Sequence, residues 1–176
     1  MRDAVHQTYT GIRKTLPPAA PLVVLHIGEA QTWVAAGTGL EPNRVQVLEI
    51  GSLRTSNDFF KHNPPLPYEL EAAIMVVEDQ LATVREMALG GASLHSTDDG
   101  VFQLARMAGY TDEVATHLPI EQVERLFDQL AARSEGRISS RVDLPDDPKF
   151  SATLLILREF MHHLRFDGIH LSRCQR

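Results

Sequence analysis

The chain has 176 residues, 43% of them hydrophobic and 23% charged, the balance of a water-soluble globular protein long enough to bury a proper core. The formal net charge of −6 argues against a sequence-independent nucleic-acid binder or an anionic-membrane binder, since both need a basic face. Cys174 is the only cysteine, so no intrachain disulfide is expected. With neither a signal-peptide core at the N-terminus nor an apolar run near the ~18–20 residues of a membrane span, the expected location is the cytoplasm.

Val5, Tyr9 and Ile12 recur at near-helical spacing and predict a leading helix over residues 2–14, ended by Pro17, Pro18 and Pro21. Leu22 to Ile27 is a short, β-branched apolar run, as expected of a strand covered on both faces. Gly28-Glu29-Ala30 makes a turn into a second strand, Thr32 to Ala36, and residues 37–43 turn again into a third, Arg44 to Ile50. Residues 51–66 read as a loop. Pro67 opens a helix running to about Leu89, with Leu70, Ile74, Val77, Leu81 and Val84 on one face and Glu69, Glu71, Glu78, Asp79 and Glu86 read as its wet face.

Gly90-Gly91 stops that helix. Ala92 to His95 is a short strand, and Asp98-Asp99 are placed to cap a helix from Gly100 to Ala108. A further helix is predicted over residues 119–133, with Pro119 in its first turn and Val123, Leu126, Phe127 and Leu130 inward. After a polar stretch, Phe150, Leu154, Leu157 and Met161 mark the last helix, and Gly168 to Leu171 the last strand. The plan is a single α/β domain over 1–176, with residues 1–20 as leading helix and Pro-rich loop. Its mixed five-stranded sheet has three leading strands and is flanked by helices, the order used by the ribonuclease-H-like, actin-like ATPase lobe.

Several stretches carry a family resemblance. Residues 3–11 read D-A-V-H-Q-T-Y-T-G, residues 26–33 H-I-G-E-A-Q-T-W, and residues 51–59 G-S-L-R-T-S-N-D-F. Asn63-Pro64-Pro65 precedes the long helix, His95-Ser96-Thr97-Asp98-Asp99-Gly100 follows the fourth strand, and Ile169-His170-Leu171-Ser172 closes the chain. In this order the segments resemble the second lobe of the Ppx/GppA family, exopolyphosphatases and guanosine-pentaphosphate phosphatases. The resemblance implies a two-lobed enzyme that cleaves phosphoanhydride bonds with magnesium in a cleft between the lobes.

Against the family's D-I-G-G-G-S-T-E loop, the leading aspartate is His26, two glycines are Glu29 and Ala30, and the closing glutamate is Trp33. Gly28, Glu29 and Thr32 are the remnant of that phosphate loop, with Gly100 at the glycine of a second S-G-T loop whose threonine is Val101. Such loops work because glycines let backbone N–H groups close on an anion and carboxylates hold the metal. A carboxylate at Glu29 repels phosphate, and an indole binds no magnesium. In one register Asp3 stands at the catalytic-base position that the resemblance implies; in the other, Ala4 does. The first lobe has no counterpart in the chain.

The expected function is therefore a Ppx/GppA-like lobe that is non-catalytic, needs no cofactor and acts as a binding or protein-interaction module. It would pair with itself or with a separate protein that supplies the missing lobe, and bind neither nucleic acid nor membrane. The alternative is a weakly active phosphatase or nucleotide-binding protein using magnesium. A second alternative is a metal-binding domain built on His26, His95 and His170, which lie on or beside three strands expected to be parallel neighbours. His162 and His163 are adjacent, point about 100° apart on a helix and do not chelate as an i, i+4 pair would. Phe59, Phe60 and Trp33 are the candidates for leftover apolar cleft surface.

Overall fold

The computed structural model describes residues 2–88, 90–111, 115–137 and 143–173. A leading helix α1 (Arg2–Arg13) is followed by strands β1 (Leu22–Ile27), β2 (Thr32–Gly37) and β3 (Arg44–Leu48), then helices α2 (Ser52–Phe59) and α3 (Pro67–Ala82). Next come β4 (Ser93–Ser96), α4 (Asp99–Met107), β5 (Ala115–Pro119), α5 (Ile120–Ser134), α6 (Pro148–Leu164) and β6 (Gly168–Ser172). The strands lie in the order β3-β2-β1-β4-β6-β5. β1, β4 and β6 are parallel neighbours, as expected, while β2, β3 and β5 run antiparallel to the strands they join.

Side-chain alternation along β1 divides the interior. Val23, Leu25 and Ile27 enter the main core, whereas Leu22 and Val24 face α1, whose Val5, Tyr9 and Ile12 form a smaller cluster with them. α1 is tied to the loop that leads into β1 by Arg13, whose guanidinium donates to the carbonyls of Ala20 and Pro17 at 2.5 and 2.6 Å. On the other face, α6 is the central helix, contacted by α2, α3, α4 and α5. Leu154, Leu155, Ile156 and Leu157 are all fully buried, so this helix is apolar nearly all round rather than along one stripe. Each such side chain stabilises the fold by about 1.5–3 kcal/mol relative to an exposed one.

The sheet has six strands, not five. The additional one, β5, pairs with β6 from Ala115↔Ser172 to Pro119↔Gly168. It is an edge strand, where a proline is tolerated, and its A-T-H-L-P sequence carries neither an apolar run nor a clean alternation. Pro119 consequently lies before α5 as its N-cap, in extended backbone, rather than in the first helical turn.

The segment read as a loop after β3 contains α2. Its inward residues are Ser52, Thr55 and Ser56, hydroxyls that leave no apolar period to detect. α3 ends at Ala82, and a short 3-10 turn at Arg85–Met87 continues to bury Val84 and Met87. Glu69 is not on the wet face: it is 2% exposed and accepts from Leu66 N, Lys61 N and His62 Nδ1, each at 2.9 Å.

Candidate functional site

The carboxyl ends of parallel strands are where an open α/β sheet places ligands, and here they are joined by one acid–imidazole pair. His26, near the end of β1, donates from Nδ1 to Asp98 Oδ1 at 2.5 Å. The Ile27 N–H donates to Asp98 Oδ2 at 2.7 Å. Asp98 precedes α4, but its carboxylate does not cap that helix and instead reaches from the end of β4 to the end of β1. Its side chain is 8% exposed and that of His26 34%. The hydrogen bond to Asp98 holds the His26 imidazole above its ordinary pKa of 6.5, against the opposing effect of burial.

The turn after β1 is closed on itself and on α2. Gly28 N–H donates to Gln31 O at 3.0 Å, and Ser52 N–H to Gly28 O at 2.9 Å. The Leu53 and Arg54 N–H groups both donate to Glu29 O at 3.0 Å. The first-turn amides of α2, which in an anion site would face the ligand, are engaged by the turn's own carbonyls. A Cβ on Gly51 would meet Glu29 O at 2.5 Å and Ala30 C at 2.7 Å, so only glycine lets the two segments approach this closely.

Thr32 is fully buried, and its Oγ1 makes no hydrogen bond. The Glu29 carboxylate pairs with Lys149 Nζ at 3.1 Å. Gly100 packs on α6, where a Cβ would meet Thr153 Cγ2 at an ordinary 3.5 Å. Phe60 is buried in the main core, while Phe59 and Trp33 are half-buried, packed against the main core and the α1 cluster respectively. Asp3 lies in the first turn of α1, with its side chain outside the described residues.

Of the three histidines weighed as metal ligands, the structure brings together His95 and His170, stacked with ring centroids 4.9 Å apart. His26 stands apart, held by Asp98. The third member of the row is His117 on β5, 4.6 Å from His170, and reading the sequence did not reveal it because its strand carries no pattern. Cross-strand register explains the row, since His95, His170 and His117 are direct partners. They line a cavity of about 290 Å³ beside Ile12 of α1 and Thr15 just after it. Burial, with the neighbouring His170 second, lowers the His95 pKa to about 4. Burial and then His117 lower that of His170.

Six strands with three leading antiparallel ones, helices on both faces and a site at the parallel carboxyl ends define a lobe of the actin-like ATPase fold. Residues 5–174 match the Ppx/GppA phosphatase family, and the chain belongs to that family. Two solved structures of the Aquifex aeolicus Ppx/GppA protein superpose with TM-scores of 0.76 and 0.75, both at 20% identity over 94% of this chain and 57% of theirs. An exopolyphosphatase from Cytophaga hutchinsonii ATCC 33406 superposes with a TM-score of 0.71 at 17% identity, again over 94% of this chain and 57% of its own. The chain thus spans little more than half the length of these relatives. No curated protein matches the sequence.

Magnesium, implied by the resemblance, finds a poor fit among these residues. A hard cation asks for several oxygen ligands. Both oxygens of Asp98 are engaged, His26 offers nitrogen, Glu29 is held by Lys149, and Trp33 points to the α1 cluster.

Proposed function

We propose that this chain is a non-catalytic Ppx/GppA-type lobe that works as a binding or protein-interaction module. The observation that carries this reading is the full engagement of Asp98, the buried carboxylate at the strand ends, by His26 and the Ile27 amide. The first-turn amides of α2 are taken up by the carbonyls of Gly28 and Glu29 instead of facing a phosphate, and both oxygens of Asp98 already accept hydrogen bonds where a metal would need a ligand. Weak phosphatase activity or nucleotide binding is the reading it opposes.

An exposed apolar stripe on α3 supports the interaction role. Tyr68 is 60% exposed, Met75 67% and Val76 37%, an unusual run of large apolar groups for a helix facing only water. The partner is a second copy of the chain or a protein that supplies the other lobe. No helix among the described residues is long and apolar enough to cross a membrane, and we place the protein in the cytoplasm.

Calorimetry with magnesium and ADP, pyrophosphate or polyphosphate tests the proposal, together with a phosphate-release assay. No heat and no phosphate are expected. Micromolar binding that Gly28→Val abolishes would overturn it.

A further inference from the structure

Away from the strand ends, two helices bring a second set of ligand-type side chains together. Glu78 lies on α3, and Glu159 and His163 on α6, spaced i, i+4 so that they share a helix face. His163 Nε2 is 3.0 Å from Glu78 Oε1 and 3.3 Å from Glu159 Oε2. One atom from each of the three residues lies within 4.8 Å of the others. A single ring nitrogen has one hydrogen at most to offer two carboxylates arriving from different helices. We propose that Glu78, Glu159 and His163 form a binding site for a zinc-class divalent cation.

Geometry supports this assignment. Zinc binds imidazole nitrogen and carboxylate oxygen at about 2.0–2.2 Å, and the edge of such a tetrahedron measures roughly 3.3–3.5 Å. The two separations at His163, 3.0 and 3.3 Å, are at or a few tenths short of that edge. The mixed nitrogen and oxygen set suits zinc better than magnesium or calcium, which take oxygen.

The surroundings also meet what a metal site needs. Arg158 donates from Nη1 to Glu159 Oε1 at 2.5 Å, which fixes that carboxylate with its other oxygen toward His163. Arg158 Nε is engaged by Glu124 at 3.0 Å. Glu124 and Glu159 thus share one guanidinium, and Glu78 adds a third carboxylate beside His163, leaving an excess of negative charge that a divalent cation balances. The Glu159 side chain is 2% exposed, His163 20% and Glu78 43%, so the site is buried on one side and open on the other for an entering ion and its water. This site is separate from His26 and Asp98, and its fate does not depend on the function proposed above.

The test is zinc titration of the chelator-treated protein by calorimetry, with the visible spectrum of added cobalt as a readout of coordination. One equivalent is expected, with a tetrahedral cobalt spectrum. His163→Ala should abolish that spectrum, and Glu78→Gln, at the exposed rim, should weaken affinity by about 10–100-fold. His117→Asn should change neither, and circular dichroism checks that each variant is folded. No zinc uptake by the unaltered protein overturns the site, as does uptake that persists unchanged in folded His163→Ala.

Discussion

His26 and Asp98 lie 72 positions apart in sequence, yet their side chains meet at 2.5 Å where β1 and β4 end side by side. In a Ppx/GppA-type loop the position of His26 belongs to an aspartate. Here the acid comes instead from the segment after β4, and the strand end contributes the base. The pair ties the ends of the two central strands together.

Replacing Asp98 with Ala should release both ties. The Ile27 N–H is buried and loses its acceptor, so a cost of about 2–3 kcal/mol is expected. The same change should lower the His26 pKa, since burial then acts without the opposing hydrogen bond, and NMR titration of the imidazole measures it. Because the folded-state pKa is raised, the stability contributed by the charged pair is full below the unfolded value of 6.5 and is lost as pH rises through the folded value. A folded Asp98→Ala whose His26 titrates as before contradicts this account.

His95 predicts the opposite slope. Its pKa falls to about 4 from an ordinary 6.5, so the folded state resists a proton that the unfolded chain accepts. Stability from this group is full above pH 6.5, declines as the pH falls, and is lost below about 4. The expected loss across that window is about 3 kcal/mol. Urea unfolding at a series of pH values measures it, and His95→Leu should flatten the profile in that range.

Gly51→Ala should destabilise the protein by more than a typical surface change. The added methyl would press on backbone atoms of Glu29 and Ala30 at 2.5 and 2.7 Å, which give way only if the turn or α2 moves. A cost of about 1–3 kcal/mol is expected, in the range of overpacked interiors. Chemical-shift changes should be concentrated in residues 28–31 and 51–55. Gly11→Ala, with open space around it, is the matched control and should be neutral or slightly stabilising.

Glu69→Ala should cost about 2–4 kcal/mol in thermal or urea unfolding. Burial alone would raise the pKa of this carboxylate, but the hydrogen bonds from His62, Leu66 and Lys61 outweigh it and hold it below its ordinary value. Removing it leaves two backbone amides without their acceptor at the entrance to α3.

The regular elements were legible wherever burial imposes a period on the chain. β1 shows its apolar run because both faces are covered, and α3 and α5 show their stripes because one face is. β5 and α2 were not legible, for a shared reason: neither buries a hydrophobic repeat, since β5 buries Thr116 and Leu118 and α2 buries Ser52, Thr55 and Ser56. The candidate site divides in the same way. The substitutions in the turn at residues 26–33 are visible in one dimension, since they occupy a local motif. The row of His95, His170 and His117 depends on strand register, and the Glu78, Glu159 and His163 group on the packing of two helices.

By itself the sequence determined the class of fold, the family and the erosion of the phosphate turn, because apolar periodicity and local motifs are properties of neighbouring residues. Only the tertiary structure decided which side chains meet at the ends of the parallel strands. Asp98 is an unremarkable helix-start residue until β4 is laid parallel to β1 and its carboxylate arrives beside His26 and the Ile27 amide. Interactions between side chains far apart in the chain are set by pairing and packing, and those emerge only when the chain is closed around its core.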